Sequence, residues 1–433
     1  MRYVHEFLDF VKRSPSPFHA VENLAAMLTE NGFERLKETE AWRLQPGKRY
    51  FVTRNRSAIA AFELPEGDAS HFQITASHSD SPVFKLKPGF EDANEHYVKF
   101  NVEKYGGMIL SVWLDRPLSV AGRVVVKTPA GLVSRLVNLD RDTVLIPNLP
   151  IHFNRDVNSG YNFNPQTDML PLYGEGSAKG GLKKEIAGAA QCAEGDIVSC
   201  DLFLYNRESG SVWGAGDAFF SCERIDDLEC AYTSMLALTQ SRAKGHINLC
   251  AVLDNEEVGS LSKQGADSTF LRDVMTRVMS ALGKTDSEAR AAFASSFMVS
   301  ADNAHALHPN HPEKYDAQNR VYMNGGVVVK FNANQKYTTD AVSAAVFAQV
   351  CERAGVPVQY FANRSDLPGG STLGNLSNAQ VSMNTVDIGL AQLAMHSVYE
   401  TAGTKDPGYM TDALKEMFDT DIVMTDDGCF RLE

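Results

Sequence analysis

The sequence predicts an α/β protein: a three-layer α/β/α sandwich around a mostly parallel sheet, split by an inserted β-rich domain. Three observations carry this expectation. After Asp226, strand-like and helix-like runs alternate, the pattern of a parallel sheet with helices on its faces. From Val83 to about Glu223, short β-rich segments follow one another with Gly and Pro between them and few helical patterns. The chain has 433 residues, more than a single core usually serves. The expected division is 1–82 and 224–433 for the sandwich and 83–223 for the insertion.

In chain order, Val4, Phe7, Leu8 and Val11 share one helical face. Ser14-Pro-Ser-Pro-Phe18 breaks that helix, and a second runs from His19 to Glu30. Strand-like runs follow at Tyr50–Thr53, Ser57–Phe62 and Phe72–Ser77, the last leading directly into His78-Ser-Asp80. The inserted block contains Tyr97–Val102, Met108–Leu114 and Arg123–Lys127 as strands. Its polar stretch from Asn154 to Lys184 reads as a long loop. Leu228, Ala231, Tyr232, Met235 and Leu238 then recur at helical spacing. Ile247–Leu253 is apolar enough for a buried strand, and a helix is expected around Asp286–Ala294. Phe297–Ala301 and Gly326–Lys330 are further strands. Thr339–Ala354 is a helix closed by Gly355, and Val381–Ile388 is the last strand of the alternation.

The composition is that of an ordinary globular protein, 44% hydrophobic and 22% charged. A net charge of −13, with no basic run, argues against nucleic acid as a partner. Seven cysteines without a CxxC pair fit buried thiols in a reducing compartment, and the expected setting is cytoplasmic. The N-terminal segment lacks the apolar core of a signal peptide, and no stretch approaches the length of a membrane span.

Asp254-Asn-Glu-Glu257 crowds three carboxylates at the end of the Ile247–Leu253 strand. Such carboxylates repel one another, and burial strengthens the repulsion, so a metal ion is the simplest partner. A solvated acidic turn is the plain alternative. Four segments repeat one design, with a metal-capable side chain at or just past a strand's carboxyl end: His78 with Asp80, Glu256 with Glu257, Asp302, and His396. Asp226 opens a helix and adds a fifth position. Singly, each has an ordinary structural role, such as a hydrogen-bonded histidine or a helix N-cap. Together they would serve two divalent ions sharing a carboxylate, with zinc suiting mixed N/O ligands and manganese or cobalt able to substitute. A glycosidase with paired carboxylates would leave His78 and His396 without a use.

Read in order, the motifs resemble the aspartyl aminopeptidase family of zinc metallopeptidases. The resemblance runs through Ser14-Pro-Ser-Pro-Phe-His-Ala20, Ser77-His-Ser-Asp-Ser-Pro82, Ile146-Pro-Asn-Leu-Pro-Ile-His152 and Arg224-Ile-Asp-Asp-Leu228. It continues in Asp254-Asn-Glu-Glu-Val-Gly-Ser260, Ser300-Ala-Asp-Asn-Ala-His305 and beyond, Lys330-Phe-Asn-Ala-Asn-Gln-Lys-Tyr337, Gly370-Ser-Thr-Leu-Gly374 and Leu393-Ala-Met-His-Ser397. The resemblance implies a dinuclear zinc aminopeptidase that removes N-terminal residues from peptides, acidic ones by preference. Asp226 would bridge two zinc ions, His78 and Asp302 completing one site and Glu257 and His396 the other. Glu256 would act as general base on a zinc-held water, and Asp80 would orient His78. His152 would reach the active site of a neighbouring subunit, the inserted domain would mediate dimers, and the dimers would build a tetrahedral dodecamer. Lys330 and His305 would meet an acidic substrate side chain. Two departures are Asp227, where the family has Asn, and Asn148, where some relatives have His. A preference for neutral N-terminal residues is the alternative specificity, and a non-catalytic assembly protein the alternative class.

Overall fold

The computed structural model describes all residues, Met1–Glu433. Its central sheet has nine strands, and four neighbours in the middle run parallel: Ile247–Leu253, Phe72–His78, Phe297–Ala301 and Asn384–Gly389. Glu34–Arg35, Arg49–Arg54 and Ala58–Glu63 extend it on one side; Val327–Phe331 and Val358–Ala362 extend it on the other. Ile247–Leu253 and Phe72–His78 are buried along their whole length. Two-residue alternation splits each strand between two cores. Cys250 and Val252 face the helices Arg2–Arg13, Pro17–Glu30, Ile225–Gln240, Ala341–Ala354 and Asp406–Asp419, whereas Leu249 and Ala251 face Phe270–Ala281, Asp286–Ala294 and Leu373–Gln380. These are the three layers that the strand and helix rhythm predicts.

A separate six-stranded antiparallel sheet is built from residues between Val83 and Asn206, in the order Gly131–Asn138, Leu118–Thr128, Ile197–Asn206, Val83–Ala93, Tyr97–Tyr105, Leu172–Glu175. It has its own core around Phe84, Phe100, Trp113 and Leu204. Ser211–Trp213 and Phe219–Cys222 do not join it. Ser211–Trp213 pairs with Phe219–Cys222, which pairs in turn with Glu400–Gly403, in a five-stranded sheet that also holds Ala391–Leu393 and Ala304–His305.

Three local expectations shift. Met108–Leu114, expected as a strand, forms instead a single 3-10 turn at Leu110–Trp113. The stretch 154–184 contains the strand Leu172–Glu175 and the start of the helix Gly181–Ala189, whose buried face is only Leu182, Ile186 and Ala187. So short an apolar stripe among Lys and Gly is hard to separate from loop composition. The last strand of the alternation begins at Asn384 rather than Val381, because the helix Leu373–Gln380 runs up to it. The helix Ala341–Ala354 is capped as its sequence suggests: Asp340 accepts the Ser343 N–H and Gly355 closes it at φ +67°. No helix is long and apolar enough to cross a membrane.

Candidate metal centre

Register places the site. Leu253 lies opposite His78 and Ala301 opposite Ile388, so these parallel strands end together at one edge of the sheet. Past that edge the chain turns sharply at Asn255 and Gly259, both in the left-handed region. The Glu256–Glu257 turn is thereby folded back over His78. Arg224 is left-handed as well, and the first turn of the helix Ile225–Gln240 is irregular at Asp226 and Asp227. His396 stands at φ +66° in the turn before Glu400–Gly403.

Asp226 lies between the two imidazoles. Its Oδ1 is 3.5 Å from His78 Nε2 and its Oδ2 is 3.4 Å from His396 Nε2. His396 Nε2 is also 3.4 Å from Glu257 Oε1. The ligand-type atoms fall into overlapping groups, His78–Asp226–Asp227–Asp302, His78–Glu256–Glu257 and Asp226–Glu257–His396, each within 4.8 Å. Asp226 and His78 are nearly inaccessible, and Asp302 is buried with them.

The charges do not balance by themselves. Five carboxylates (Asp226, Asp227, Asp302, Glu256 and Glu257) face two imidazoles. Two carboxylates about 4 Å apart repel by about 4 kcal/mol even at an effective dielectric of 20. Accordingly, burial first, then Asp302 and Asp80, push Glu256 up to about 8. Burial, with Asp226 adding repulsion, pushes Glu257 well above the carboxylate range. Burial opposes the charged form of Asp226, yet His396 and His78 hold it below that range. Asp226 Oδ1, Asp227 Oδ1 and Glu257 Oε1 are buried without any hydrogen-bond partner. Unpartnered buried acceptors, mixed nitrogen and oxygen donors and a surplus of negative charge are what a divalent metal centre requires. The residues present therefore fit zinc.

Supporting contacts fix the donors. His78 Nδ1 donates to the Asp80 carbonyl at 3.0 Å, with the Asp80 carboxylate 3.3 Å away. The contact between Asp80 and His78 is thus made mainly by the Asp80 backbone. Its carboxylate instead accepts the N–H groups of Glu256 and Glu257, at 3.1 and 3.2 Å. His396 Nδ1 donates to the Gly107 carbonyl at 2.6 Å. Glu400 accepts both the Asp226 and the His396 backbone N–H, at 3.0 and 2.8 Å. Sequence reasoning missed Glu400, whose only signal is its place four residues after His396. It also left Asp227 outside the ligand set, although Asp227 accepts the His78 N–H at 3.0 Å.

The remaining expected residues stand apart. Lys330 is buried beneath Asp302, donating to the carbonyls of Asp302 and Asn303 at 2.7 and 3.3 Å. Burial disfavours its charge, but Asp302 and Asp387 keep its pKa above the ordinary value. His305 is half-buried beside a cleft of about 360 Å³ lined by Lys314, Asp316, Phe361 and Arg364. Burial, reinforced by Lys330, lowers its pKa. His152 is exposed in the 150–154 turn and joins none of the ligand groups of its own chain.

The family described as aminopeptidase I zinc metalloprotease (M18) matches residues 10–418. A probable M18 family aminopeptidase 2 of Clostridium acetobutylicum is 43% identical, covering 96% of this chain and 99% of its own. Aspartyl aminopeptidase 1 of Schizosaccharomyces pombe is 38% identical, covering 95% and 94%. Among solved structures, a chain of an Ape4 and Nbr1 complex superposes with a TM-score of 0.93 at 37% identity, covering 96% of this chain and 85% of that one. A subunit of the Saccharomyces cerevisiae mApe1 dodecamer gives 0.84 at 28% identity, covering 96% and 95%.

Proposed function

The chain belongs to the aminopeptidase I zinc metalloprotease family, M18, and from that premise we propose that it is a dinuclear zinc aminopeptidase with a preference for acidic N-terminal residues. The observation that carries the dinuclear reading is the Asp226 carboxylate, with one oxygen toward His78 and the other toward His396. His78, Asp226 and Asp302 would hold one ion; Asp226, Glu257 and His396 would hold the other. When bound, two zinc ions supply Lewis-acid polarisation of a carbonyl and a water of lowered pKa.

Glu256 is the general base in this reading. It stands in the turn over His78, its backbone held by Asp80, and it is not one of the groups flanking His396. Its carboxylate takes a proton from the attacking water and returns it to the departing amine nitrogen. Buried carboxylates around the centre would also hold the α-ammonium group of the substrate, which restricts cleavage to the first residue. The acidic preference is supported by the names of the yeast relatives and by the surroundings of His305. There Lys314 lines the cleft with Asp316, while Arg364 is paired with Asp366, and Lys330 keeps one N–H uncommitted beside Asp302.

We also propose that the 83–223 block mediates dimers that build a dodecamer, with His152 reaching a neighbour's site. Beside His152, Leu149, Ile151 and Phe153 are exposed, Phe153 by 79%, an apolar surface suited to a second copy. All seven cysteines are free, four of them buried, which supports a cytoplasmic setting.

One experiment tests the core of the reading. Metal content and hydrolysis of Asp-, Glu-, Leu- and Ala-p-nitroanilide are measured before and after chelation and metal return. The expected result is two zinc ions per chain with chelator-sensitive release from Asp or Glu, and retention of both ions in Glu256→Gln with turnover down roughly 100- to 10,000-fold. Release from Leu alone would remove the acidic preference. Normal turnover in Glu256→Gln would remove the base assignment.

A further inference from the structure

The two halves of the centre are supported differently. His78 Nδ1 is held inside its own loop, by the carbonyl two residues on. His396 is held from a distance: Gly107 accepts its Nδ1–H, and the Ile109 N–H donates to its carbonyl at 3.1 Å. Both contacts come from the segment that leaves the strand Tyr97–Tyr105 of the six-stranded sheet. At the head of that segment, the Tyr105 hydroxyl donates to Asp80 Oδ2 at 2.6 Å and accepts from Asn255 Nδ2 at 2.7 Å. The orientation of the Asn255 amide is settled, because its Oδ1 accepts from Ser262 Oγ and Gln264 Nε2, each at 2.8 Å. Asp80 in turn carries the Glu256–Glu257 turn on its carboxylate. Between the two contacts, Gly106 passes so close that a Cβ there would meet Glu257 Cβ at 3.1 Å, and its φ is +77°.

We propose that Tyr105 and Gly107 are positioning residues through which the six-stranded sheet sets the geometry of both halves of the centre. Tyr105 acts through Asp80 on the Glu256–Glu257 turn, and Gly107 acts on the His396 imidazole. A metal-ligating histidine usually donates its far N–H to such a partner, and losing outer partners costs roughly 10- to 100-fold in metal affinity or activity. His396 depends on this support more than His78 does, because its side chain is 31% exposed against 1% and its backbone is left-handed. A displacement of the six-stranded sheet therefore loosens the Glu257–His396 half first. The inference rests on the dinuclear reading proposed above.

The test uses the full-length zinc-loaded protein and two variants. Tyr105→Phe keeps the ring and its edge contact with Phe203, whose centroid is 5.9 Å away, and removes only the hydroxyl. The expected outcome is a zinc dissociation constant raised roughly 10- to 100-fold for the weaker ion, a matching fall in kcat, and KM within about twofold. Phe203→Leu removes packing and no polar contact, and it leaves zinc affinity unchanged within about twofold. Gly106→Ala pushes against Glu257 and is expected to release one ion before the other. Wild-type zinc affinity and kcat in Tyr105→Phe overturn the role of Tyr105, as does an equal loss of affinity in Phe203→Leu. Two ions held with native affinity in Gly106→Ala overturn the role of Gly107. A wild-type chain that binds fewer than two ions contradicts the dinuclear reading instead, which keeps the two failures apart.

Discussion

The strand Phe72–His78 has a histidine at each end, and the two have similar neighbours but opposite consequences. His78, at the carboxyl end, faces Asp226 and, through it, His396. His71, just before the strand begins, faces Asp421 and His246, with Asp421 Oδ1 3.3 Å from His71 Nε2 and 3.1 Å from His246 Nδ1. Both groups bring imidazoles and carboxylate within metal-binding reach. The difference lies first in charge, and then in how many buried polar atoms go without a partner. At the far end, one carboxylate serves two imidazoles, and both nitrogens of His246 have protein partners: Asp421, and the Phe418 carbonyl at 3.0 Å. His71 Nδ1 shares a hydrogen bond with Ser70 Oγ, and its Nε2, 3.3 Å from Asp421, is a single buried nitrogen without a hydrogen-bond partner. At the carboxyl end, five carboxylates crowd two imidazoles, and three of their oxygens have no partner. Residue type alone does not make a metal centre; surplus charge and unpartnered acceptors do. The His71 group is a clamp. Asp421 leads into the hairpin Ile422–Asp426 and Cys429–Leu432, and Gln73 accepts the Ile422 N–H at 2.7 Å beside it.

The largest expected effect that would break this contrast is at Asp226. Asp226→Ala removes the carboxylate between the imidazoles, so zinc content should fall from two ions per chain toward none. Turnover should fall by roughly 1,000-fold or more, beyond the 10- to 100-fold of outer-shell changes. Atomic emission on the dialysed protein checks the first and p-nitroanilide hydrolysis the second. Retention of both ions would place the bridging role elsewhere, with Asp227 the nearest carboxylate to take it.

A smaller effect sharpens the other side. Asp421→Ala should leave zinc content and kcat unchanged and lower stability by about 1–3 kcal/mol, the cost of leaving buried hydrogen-bonding groups without a partner. Urea unfolding followed by circular dichroism measures it. A drop in zinc content in this variant would make the far group a metal site and erase the contrast.

How much of this was legible beforehand follows from which forces act locally. Ile247–Leu253, Phe72–Ser77 and Phe297–Ala301 are continuous apolar runs, so their burial could be read directly, and with it the edge where His78, Glu256 and Asp302 collect. The pairing of Phe219–Cys222 with Glu400–Gly403 could not, because nothing in a four-residue strand names a partner some 180 positions away. The same holds within the site. His78, Glu256, Glu257 and His396 stand in recognisable motifs, whereas Tyr105, Gly107 and Glu400 act through hydrogen bonds that exist only once the sheets are docked. Lys330 was legible as a lysine near the centre but not as one whose ammonium is bonded to two carbonyls. His305 was legible as a histidine, but not its burial beside Lys330, which lowers its pKa.

The smallest effect is a pH dependence at the far clamp. Burial, with the charge of His246 adding to it, pushes His71 down to about 4, while the partner Asp421 acts weakly the other way. The unfolded chain binds this proton near the ordinary 6.5 of histidine. Between those values the unfolded state holds one proton more than the folded state. Stability therefore falls as pH drops from 6.5 toward 4, by up to about 1.4 kcal/mol per unit, and the contribution is absent above 6.5. His19 is pushed down to about 4 as well, by burial and then by Arg224, so it contributes a similar slope of its own. Asp421 is held below the ordinary carboxylate range, first by its hydrogen bond from His246, so its stabilisation is lost only at lower pH. Restricting the measurement to the span from 6.5 to about 5 keeps it out. Zinc release on acidification would obscure the slope, so the comparison belongs in the Asp226→Ala background, with and without His71→Asn. The expected result is a shallower fall in unfolding free energy with decreasing pH when His71 is replaced. Parallel curves would mean that His71 takes up its proton equally well folded and unfolded, and that the far end of the strand is no tighter than solvent.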